Sequence, residues 1–193
     1  MSTRVEQKEA TRRRLIVQAV RLVGEQGFGQ TRTVDVAKAA KVSHGTVFAH
    51  FPSREDLILA VAWHIGREIT DRLHELAGES GGLIEVLQAH LRCLEENEDV
   101  YRQLVIEAPL LPSQFRANWV GLQSAVASYL CAEADAEAAA GRIRALPAHL
   151  VFNTWIGLVH HYLINKDLFV TEGSVIAAHG PALVDHFTNL LHP

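Results

Sequence analysis

Three stretches of this 193-residue chain combine residue types and spacings that could support chemistry or recognition. Residues 78–82, Gly-Glu-Ser-Gly-Gly, fit the G-x-S-x-G pattern that surrounds the nucleophilic serine of many hydrolases. His90 and Cys93 are three residues apart, which places two metal-ligating side chains on one face of a helix. Thr33–Phe51 contains two short apolar patterns, each preceded by a hydroxyl residue. What each stretch can do depends on the elements that hold it.

A serine nucleophile of the G-x-S-x-G type needs a strand that leads into a sharp turn inside a parallel sheet. The residues before Gly78 instead show a helical apolar pattern, and a Gly/Ser cluster between two helices is typical of a loop. A loop is therefore the favoured interpretation. A small hydrolase using Ser80 is kept as an alternative.

A metal site is the second chemical possibility, because the chain has eleven histidines. The adjacent His160 and His161 point about 100° apart on a helix, which is poor for joint coordination. No tight cluster of ligands forms around His90 and Cys93 in the sequence, and single His or Cys residues on half-buried faces are commonly packing residues. We therefore predict neither a metal nor another cofactor.

The Thr33–Phe51 stretch predicts two short helices. Its first apolar residues recur at helical spacing, at Val34, Val36, Ala37 and Ala40. Thr33 is predicted to cap this helix, and Ser43 is predicted to cap a second helix over His44–His50. Two short helices joined by a turn of three or four residues are typical of a helix-turn-helix unit.

The run from Val36 to Leu57 resembles the DNA-binding domain of the TetR family of bacterial repressors, and the similarity extends over roughly Arg12 to Leu59. The resemblance implies that the second helix enters the major groove of DNA. It places His44, Thr46 and Ala49 near base edges. The full set of predicted DNA-binding residues is Arg32, Thr33, Lys41, Ser43, His44, Gly45, Thr46, Phe48, His50 and Arg54, of which Arg32, Thr33, His50 and Arg54 are expected at phosphates.

Two residues depart from the family pattern. Lys41 stands where the family usually has a glycine in the turn, and a left-handed backbone costs a non-glycine residue about 1–2 kcal/mol. Phe48 stands where the family usually has a tyrosine whose hydroxyl reaches a phosphate. These departures leave open an alternative function, a dimeric ligand-binding or interaction protein of the same fold with impaired DNA binding.

The net charge of −4 is unevenly distributed along the chain. Residues 1–55 hold ten Lys and Arg against five Asp and Glu, a net charge of +5, so the remaining residues carry −9. Acids on a distant domain are largely screened, because the Debye length is about 8 Å at physiological salt. The first segment can therefore attract a polyanion although the whole chain is acidic.

The apolar pattern of the chain predicts an all-α protein of about nine helices. Residues 1–53 are predicted to form a three-helix DNA-binding domain with the helix-turn-helix. Residues 54–193 are predicted to form a helical domain for effector binding and dimerisation, as the resemblance implies. The chain starts with charged rather than apolar residues and has no run of about 18 apolar residues, so we predict a cytoplasmic protein without membrane association.

Two late helices predict a homodimer. Ala148–Asn165 is apolar on nearly all sides, and Ser174–Leu191 is also rich in apolar residues, with Gly180-Pro181 predicted to kink or break it. Pairing with a second copy would cover both helices, as in the TetR family, and a two-fold dimer suits an inverted-repeat operator in double-stranded DNA. The predicted interface residues are Trp155, Val159, Tyr162, Leu183, Phe187 and Leu190. A monomer with a fully buried central helix is the alternative.

Aromatic residues and isolated polar residues in the apolar segments predict a ligand pocket. The residues predicted to line it are Trp63, His90, Tyr101, Phe115, Trp119 and Asn153. Such a pocket suits a small, largely hydrophobic effector. The predicted function is therefore a ligand-responsive transcriptional regulator, a repressor that its effector releases from a palindromic operator, and not an enzyme.

Overall fold

The computed structural model describes residues 3–77 and 81–192. In these ranges the chain is built from helices and contains no strand, which confirms the predicted all-α fold. The Ser80 pattern cannot be compared with this fold directly, because residues 78–80 lie outside the described ranges. The helices are α1 (Arg4–Gln30), α2 (Thr33–Ala39), α3 (His44–His50), α4 (Arg54–Ala77), α5 (Leu83–Glu96), α6 (Glu98–Glu107), α7 (Ser113–Ala139), α8 (Ala148–Ile164), α9 (Lys166–Phe169) and α10 (Val175–Leu191), with a 3-10 turn at Ala108–Leu110.

The chain packs into two compact units. The first contains the described chain up to Arg67 together with Asp99–Trp119, and the second contains Glu68–Glu98 and the chain from Val120 onward. The 99–119 segment therefore belongs by packing to the unit that holds the helix-turn-helix. The predicted functional boundary after residue 53 stays a prediction.

The first unit begins with a capped helix. The hydroxyl of Thr3 accepts from the backbone N–H of Glu6, and the Glu6 carboxylate accepts from the N–H of Thr3 at 2.7 Å, so both ends of a capping box are formed. The regular helix is interrupted at Gly27, which has φ 85°. One more helical turn follows and ends at Gln30.

The core of the first unit is apolar and joins all its helices. Side chains from α1, α2, α3 and α4 share it, and Phe115 of α7 reaches the α1 side, with its ring centroid 6.3 Å from that of Phe28. The buried core residues include Leu15, Ile16, Ala19, Val23, Phe28, Val36, Ala37, Val47, Phe51, Leu57, Ile58, Val61, Tyr101, Leu104 and Phe115.

Four of the six predicted dimer-interface residues lie in the core of the second unit. Trp155 and Phe187 lie with ring centroids 5.3 Å apart, and Trp155, Val159, Leu183 and Phe187 are all buried within the single chain. The prediction that these four residues contact a second copy is therefore wrong, because they already fill the space between α5, α8 and α10. Tyr162 is half-buried and Leu190 is exposed.

A kink or a break was predicted at Gly180-Pro181, and the break is wrong, because helix α10 is continuous through Pro181. Proline removes the N–H that would bond to the carbonyl of Ala177. Both Ala177 and Pro181 are exposed, so water can satisfy that carbonyl and the helix continues. Gly180 itself is buried.

The start of α10 is held by a buried carboxylate. Glu98 accepts from the backbone N–H groups of Val175 and Ile176, each at 3.1 Å, and from the hydroxyl of Ser174. Lys166 lies 2.8 Å from the same carboxylate. Burial raises the pKa of Glu98, but these hydrogen bonds outweigh burial and leave the pKa below its usual value.

Three further findings concern membrane spans, metal ligands and the cysteines. No helix in residues 3–77 and 81–192 is long and apolar enough to cross a membrane. Within the same ranges, no group of three or more His, Cys, Asp and Glu residues is arranged to hold a metal ion. Cys93 and Cys131 are free thiols, and burial raises the pKa of Cys93 to about 11.

Candidate nucleic-acid interface

Helix α2 starts one residue earlier than predicted, so Thr33 is not its cap. The carbonyl of Arg32 accepts from the N–H groups of Asp35 and Val36, at 3.0 and 3.2 Å, and Thr33 is the first helical residue. The Thr33 hydroxyl instead lies 2.9 Å from Nε2 of His44. The contact joins the start of α2 to the start of α3.

Ser43 caps α3, as predicted. Its hydroxyl accepts from the backbone N–H of Thr46 at 3.1 Å and lies 2.8 Å from the Thr46 hydroxyl. The cap satisfies one of the free N–H groups at the start of the helix. It also keeps the Thr46 side chain at the same end of the helix as His44.

The turn between α2 and α3 has a left-handed residue at Lys41, with φ 55°. The N–H of Lys41 donates to the carbonyl of Lys38, and the N–H of Val42 donates to the carbonyl of Ala37 at 3.0 Å. This is a Schellman motif, in which the left-handed position normally favours glycine. Lys41 therefore carries backbone strain, and its exposed ammonium group lies beside the start of α3.

Helix α3 has one buried and one exposed face. Val47 is fully buried and fixes the helix on the core, whereas Gly45, Phe48 and Ala49 are exposed. Phe48 is 43% exposed, although a phenylalanine gains free energy from burial. The exposed face is therefore available for another molecule.

Phe48 is held by contact with His44. Their ring centroids are 4.9 Å apart, and the rings are inclined by 64° in an edge-to-face arrangement. The His44 ring therefore contacts one residue of α2, Thr33, and one residue of α3, Phe48. Its position on the exposed surface is thus determined before any partner binds.

His50 lies at the end of α3, close to the basic part of α1. Its Nδ1 is buried and has no hydrogen-bond partner in the described part of the chain. Burial lowers the pKa of His50, and the charges of Lys8 and Arg12 lower it further, with Glu9 acting in the opposite direction. The guanidinium of Arg12 also lies 4.9 Å from the ring centroid of Phe51.

Arg54 makes several hydrogen bonds inside the first unit. Its Nε donates to the carbonyl of Thr31 at 3.0 Å, and its Nη2 donates to the carbonyls of Phe28 and Gly29. The Ser53 and Asp56 side chains cap the start of α4, since each accepts from the backbone N–H of the other residue. The predicted phosphate contact of Arg54 stays a prediction, but its guanidinium already donates to three carbonyls between α1 and α2.

Comparison with known proteins identifies the family. The family described as bacterial regulatory proteins, tetR family, matches residues 15–61. The HTH-type transcriptional repressor Rv3405c of Mycobacterium tuberculosis is 41% identical over 59 residues, which is 31% of each chain. The HTH-type transcriptional repressor AcnR of Corynebacterium efficiens is 30% identical over 135 residues, which is 69% of each chain. The chain belongs to the TetR family.

The fold of this TetR-family chain extends the similarity beyond the matched segments. A TetR-family transcriptional regulator from Agrobacterium tumefaciens has a solved structure that superposes with a TM-score of 0.80. The match covers 96% of this chain and 100% of that chain at 18% sequence identity, so it shows a shared fold. The chain nevertheless spans only about a third of the length of the mycobacterial relatives that it matches.

Of the six residues predicted to line an effector pocket, four belong to the first unit and two to the second. Three of them are in contact: the Trp119 ring lies 5.9 Å from Tyr101 and 6.4 Å from Phe115, centroid to centroid. Trp63 is 57% exposed. The remaining two are His90, which is buried in the second unit, and Asn153, which is exposed on α8.

Two residues in the first unit of this TetR-family chain were missed by sequence reasoning. Asn118 lies next to Trp119, and its Nδ2 is buried without a hydrogen-bond partner in the described residues. Glu107 accepts from the N–H groups of Phe28 and Gly29. A polar residue within an apolar helix was the available signal for Asn118, whereas 78 and 79 residues separate Glu107 from its partners and left no local signal.

Proposed function

We propose that this protein is a DNA-binding transcriptional regulator whose binding responds to a small ligand. The observation that carries the proposal is the exposed face of α3, where His44 is held against Phe48 and Thr33 in a segment of net charge +5. Exposed, pre-positioned polar groups on a short helix suit the major groove, which is wide enough to admit a helix. Membership of the TetR family supports the same function.

The DNA contacts divide into two classes. His44, Thr46 and Ala49 are proposed to face base edges and thymine methyl groups, because they lie at or near the exposed side of α3. Contacts with the sugar-phosphate backbone are proposed for the residues at the rim of this surface. They are Arg32, Thr33, Lys41, Ser43, Gly45 and His50 at phosphates, and Phe48 packed against a sugar. For Arg54 we propose an indirect role, through the turn that its guanidinium holds.

A homodimer would place two α3 helices on the two halves of a palindrome. We propose that the exposed faces of α8 and α10 form its interface. This assignment replaces the buried residues of the sequence-based prediction with uncharged residues, most of them apolar, that the single chain leaves exposed. They are Leu150, Asn153, Thr154, Gly157 and Ile164 on α8, and Ala178, Pro181, Ala182 and Leu190 on α10.

The effector is proposed to bind near the aromatic cluster of Tyr101, Phe115 and Trp119. These rings offer apolar surface, and Asn118, the residue before Trp119, has a buried Nδ2 donor without a partner in the described residues. Leaving a buried donor unpaired costs about 1–3 kcal/mol, which a ligand oxygen could recover. A small, largely hydrophobic molecule with one acceptor group fits this description, and repression with release by this molecule is the proposed output.

The test is selection of bound duplexes from a random pool, followed by footprinting at two salt concentrations. A protected inverted repeat, with affinity falling steeply as salt rises, is the expected result. The Arg32→Ala variant should bind more weakly and show a smaller salt dependence, because one phosphate contact is lost. Enrichment of no sequence, together with no binding at low salt, would refute the proposal.

A second candidate function rests on Lys41 and Phe48. The left-handed Lys41 strains the turn, and Phe48 lacks a hydroxyl that could donate to a phosphate. A protein that retained the fold and its ligand while binding DNA poorly would combine these features. In that case the wild type gives no footprint, and the double variant Lys41→Gly, Phe48→Tyr restores one.

A further inference from the structure

Phe28 is fixed by three elements of the first unit. Its backbone N–H donates to Oε1 of Glu107 at 2.8 Å, and its carbonyl accepts from the guanidinium of Arg54. Its ring is fully buried and contacts the ring of Phe115. Side chains of α4, α6 and α7 therefore all contact Phe28, although none of these helices belongs to the helix-turn-helix.

Glu107 uses both of its oxygens on the same turn. Oε2 accepts from the N–H of Gly29 at 2.7 Å while Oε1 accepts from Phe28. Hydrogen bonds to an ionised acceptor are roughly twice as strong as those between neutral groups. The chain also leaves room for the carboxylate, since a Cβ added to Gly27 would lie 2.3 Å from Oε1.

The turn that Glu107 holds leads directly to the proposed DNA surface. Gln30 and Thr31 follow it, and the next two residues are Arg32 and Thr33 at the start of α2. Thr33 is the residue whose hydroxyl meets His44. A shift of the turn would therefore move a phosphate-contacting residue and remove one support of the His44 ring.

We infer that Glu107 is a positioning residue for DNA binding, and that through it the 99–119 segment controls the start of α2. This inference rests on the proposed DNA-binding function. An effector that displaces Tyr101 or Trp119 moves the segment that carries Glu107. The hydrogen bonds from the amides of Phe28 and Gly29 to Glu107 are then lost, and Thr33 no longer supports His44 in the position that DNA requires.

A positioning role and a purely electrostatic role of Glu107 predict opposite effects of its substitution on DNA affinity. A carboxylate in a DNA-binding unit repels phosphates, so its removal should strengthen DNA binding. A positioning role predicts that binding weakens despite the loss of a negative charge. The sign of the change therefore distinguishes the two effects.

The experiment compares Glu107→Gln and Glu107→Ala with Glu9→Gln in the full chain. Glu9 is an exposed acid of the same unit and does not touch the turn, so Glu9→Gln removes an equal charge. Affinity is measured by fluorescence anisotropy on the duplex selected from the random pool, with melting temperature recorded for each variant. We expect Glu107→Gln to bind about tenfold more weakly, Glu107→Ala more weakly still, and Glu9→Gln as tightly as the wild type or more so.

Amide hydrogen exchange provides a readout that does not depend on DNA. The amides of Phe28 and Gly29 should exchange faster in both Glu107 variants, while the amide of Thr46, bonded to Ser43, should keep its rate. A folded Glu107→Gln protein that binds DNA as tightly as the wild type overturns the inference, as does unchanged exchange at the two amides in both variants. If the wild type selects no DNA, both the proposed function and the positioning role of Glu107 in DNA binding are refuted. Faster exchange of the Phe28 and Gly29 amides in the Glu107 variants would still show that Glu107 holds the turn.

Discussion

The indole Nε1 of Trp155 donates a 3.0 Å hydrogen bond to Nδ1 of His90 in the core of the second unit. Because Nδ1 is the acceptor, the neutral ring carries its proton on Nε2. Burial lowers the pKa of His90 to about 3, with a smaller contribution from repulsion by His160 when that ring is protonated in acid. Burial also lowers the pKa of His160 to about 4. Both rings are therefore neutral in the folded protein near neutral pH.

Acid should destabilise the protein through these two histidines. A histidine in the unfolded chain has a pKa of about 6.5, so below that pH the unfolded state binds protons that the folded state excludes. The contribution of each ring is complete above about pH 6.5 and falls by about 1.4 kcal/mol per pH unit below it. Urea unfolding at pH 7 and pH 5 measures the difference.

The His90→Gln variant isolates one of the two contributions. The side-chain carbonyl of the introduced glutamine can still accept from Trp155 but cannot titrate, so the stability lost between pH 7 and pH 5 should be smaller than in the wild type. His149 is exposed, and His149→Gln should leave the loss unchanged. Equal losses in all three proteins would show that His90 does not titrate in the way that its burial implies.

Replacing Lys41 with glycine should stabilise the first unit. The substitution relieves the left-handed strain at φ 55°, worth about 1–2 kcal/mol, and part of this gain is offset by the greater freedom of glycine in the unfolded chain. Thermal unfolding should show a net gain of about 0.5–1 kcal/mol. Lys38→Gly, three residues earlier in α2, should instead destabilise the protein by a similar amount, since glycine is a poor helix former.

Replacing Phe48 with tyrosine should strengthen DNA binding several-fold. The side chain is 43% exposed, so the added hydroxyl has room and can donate to a phosphate oxygen. A neutral hydroxyl releases no counterion, and the salt dependence should stay as it is in the wild type. An unchanged dissociation constant in the folded variant would indicate that the exposed ring does not approach the DNA backbone.

Replacing Gly27 with alanine should destabilise the protein by more than about 1 kcal/mol. The position has φ 85°, and the new Cβ would lie 2.3 Å from Oε1 of Glu107. Gly121 in α7 is the matched control, because its added Cβ meets nothing within 4 Å. Gly121→Ala should be neutral or stabilising by up to about 1 kcal/mol in urea unfolding.

Introducing a large charge at Gly157 should separate the proposed dimer. Gly157 is exposed on α8, and a Cβ there meets nothing within 4 Å in the single chain, so Gly157→Arg should leave the subunit folded. An arginine buried between two copies would lack a partner and would disfavour association. Light scattering should give the monomer mass for Gly157→Arg and the dimer mass for Gly121→Arg. A monomeric wild type would exclude the proposed interface from the outset.

Local signals predicted the helix-turn-helix segment well. The Ser43 cap and the turn at Lys41 each depend on residues within a few positions, and the structure contains both. The cap of α2 was misplaced because a carbonyl of the preceding residue, rather than the Thr33 hydroxyl, takes the first bonds. Helix boundaries are sensitive to such alternatives.

The errors at longer range have a different cause. Apolar periodicity shows that Trp155 and Phe187 are buried, but a side chain covered by its own chain and one covered by a second copy give the same pattern. Likewise, nothing near Glu107 in sequence indicates that its carboxylate meets backbone amides of α1. Such pairings arise from the tertiary fold, so they could not be derived from spacing.

The return of residues 99–119 to the first unit limits how freely this protein can be divided. A fragment that ended at Arg67 would lack Glu107 and Phe115, leaving two backbone amides without acceptors and the Phe28 ring without its cover. A chimera that combined its first 67 residues with the remainder of another regulator would have the same defect. The unit that holds the helix-turn-helix is thus built from two separate segments of the chain, and its exchange between relatives requires both segments to be transferred together.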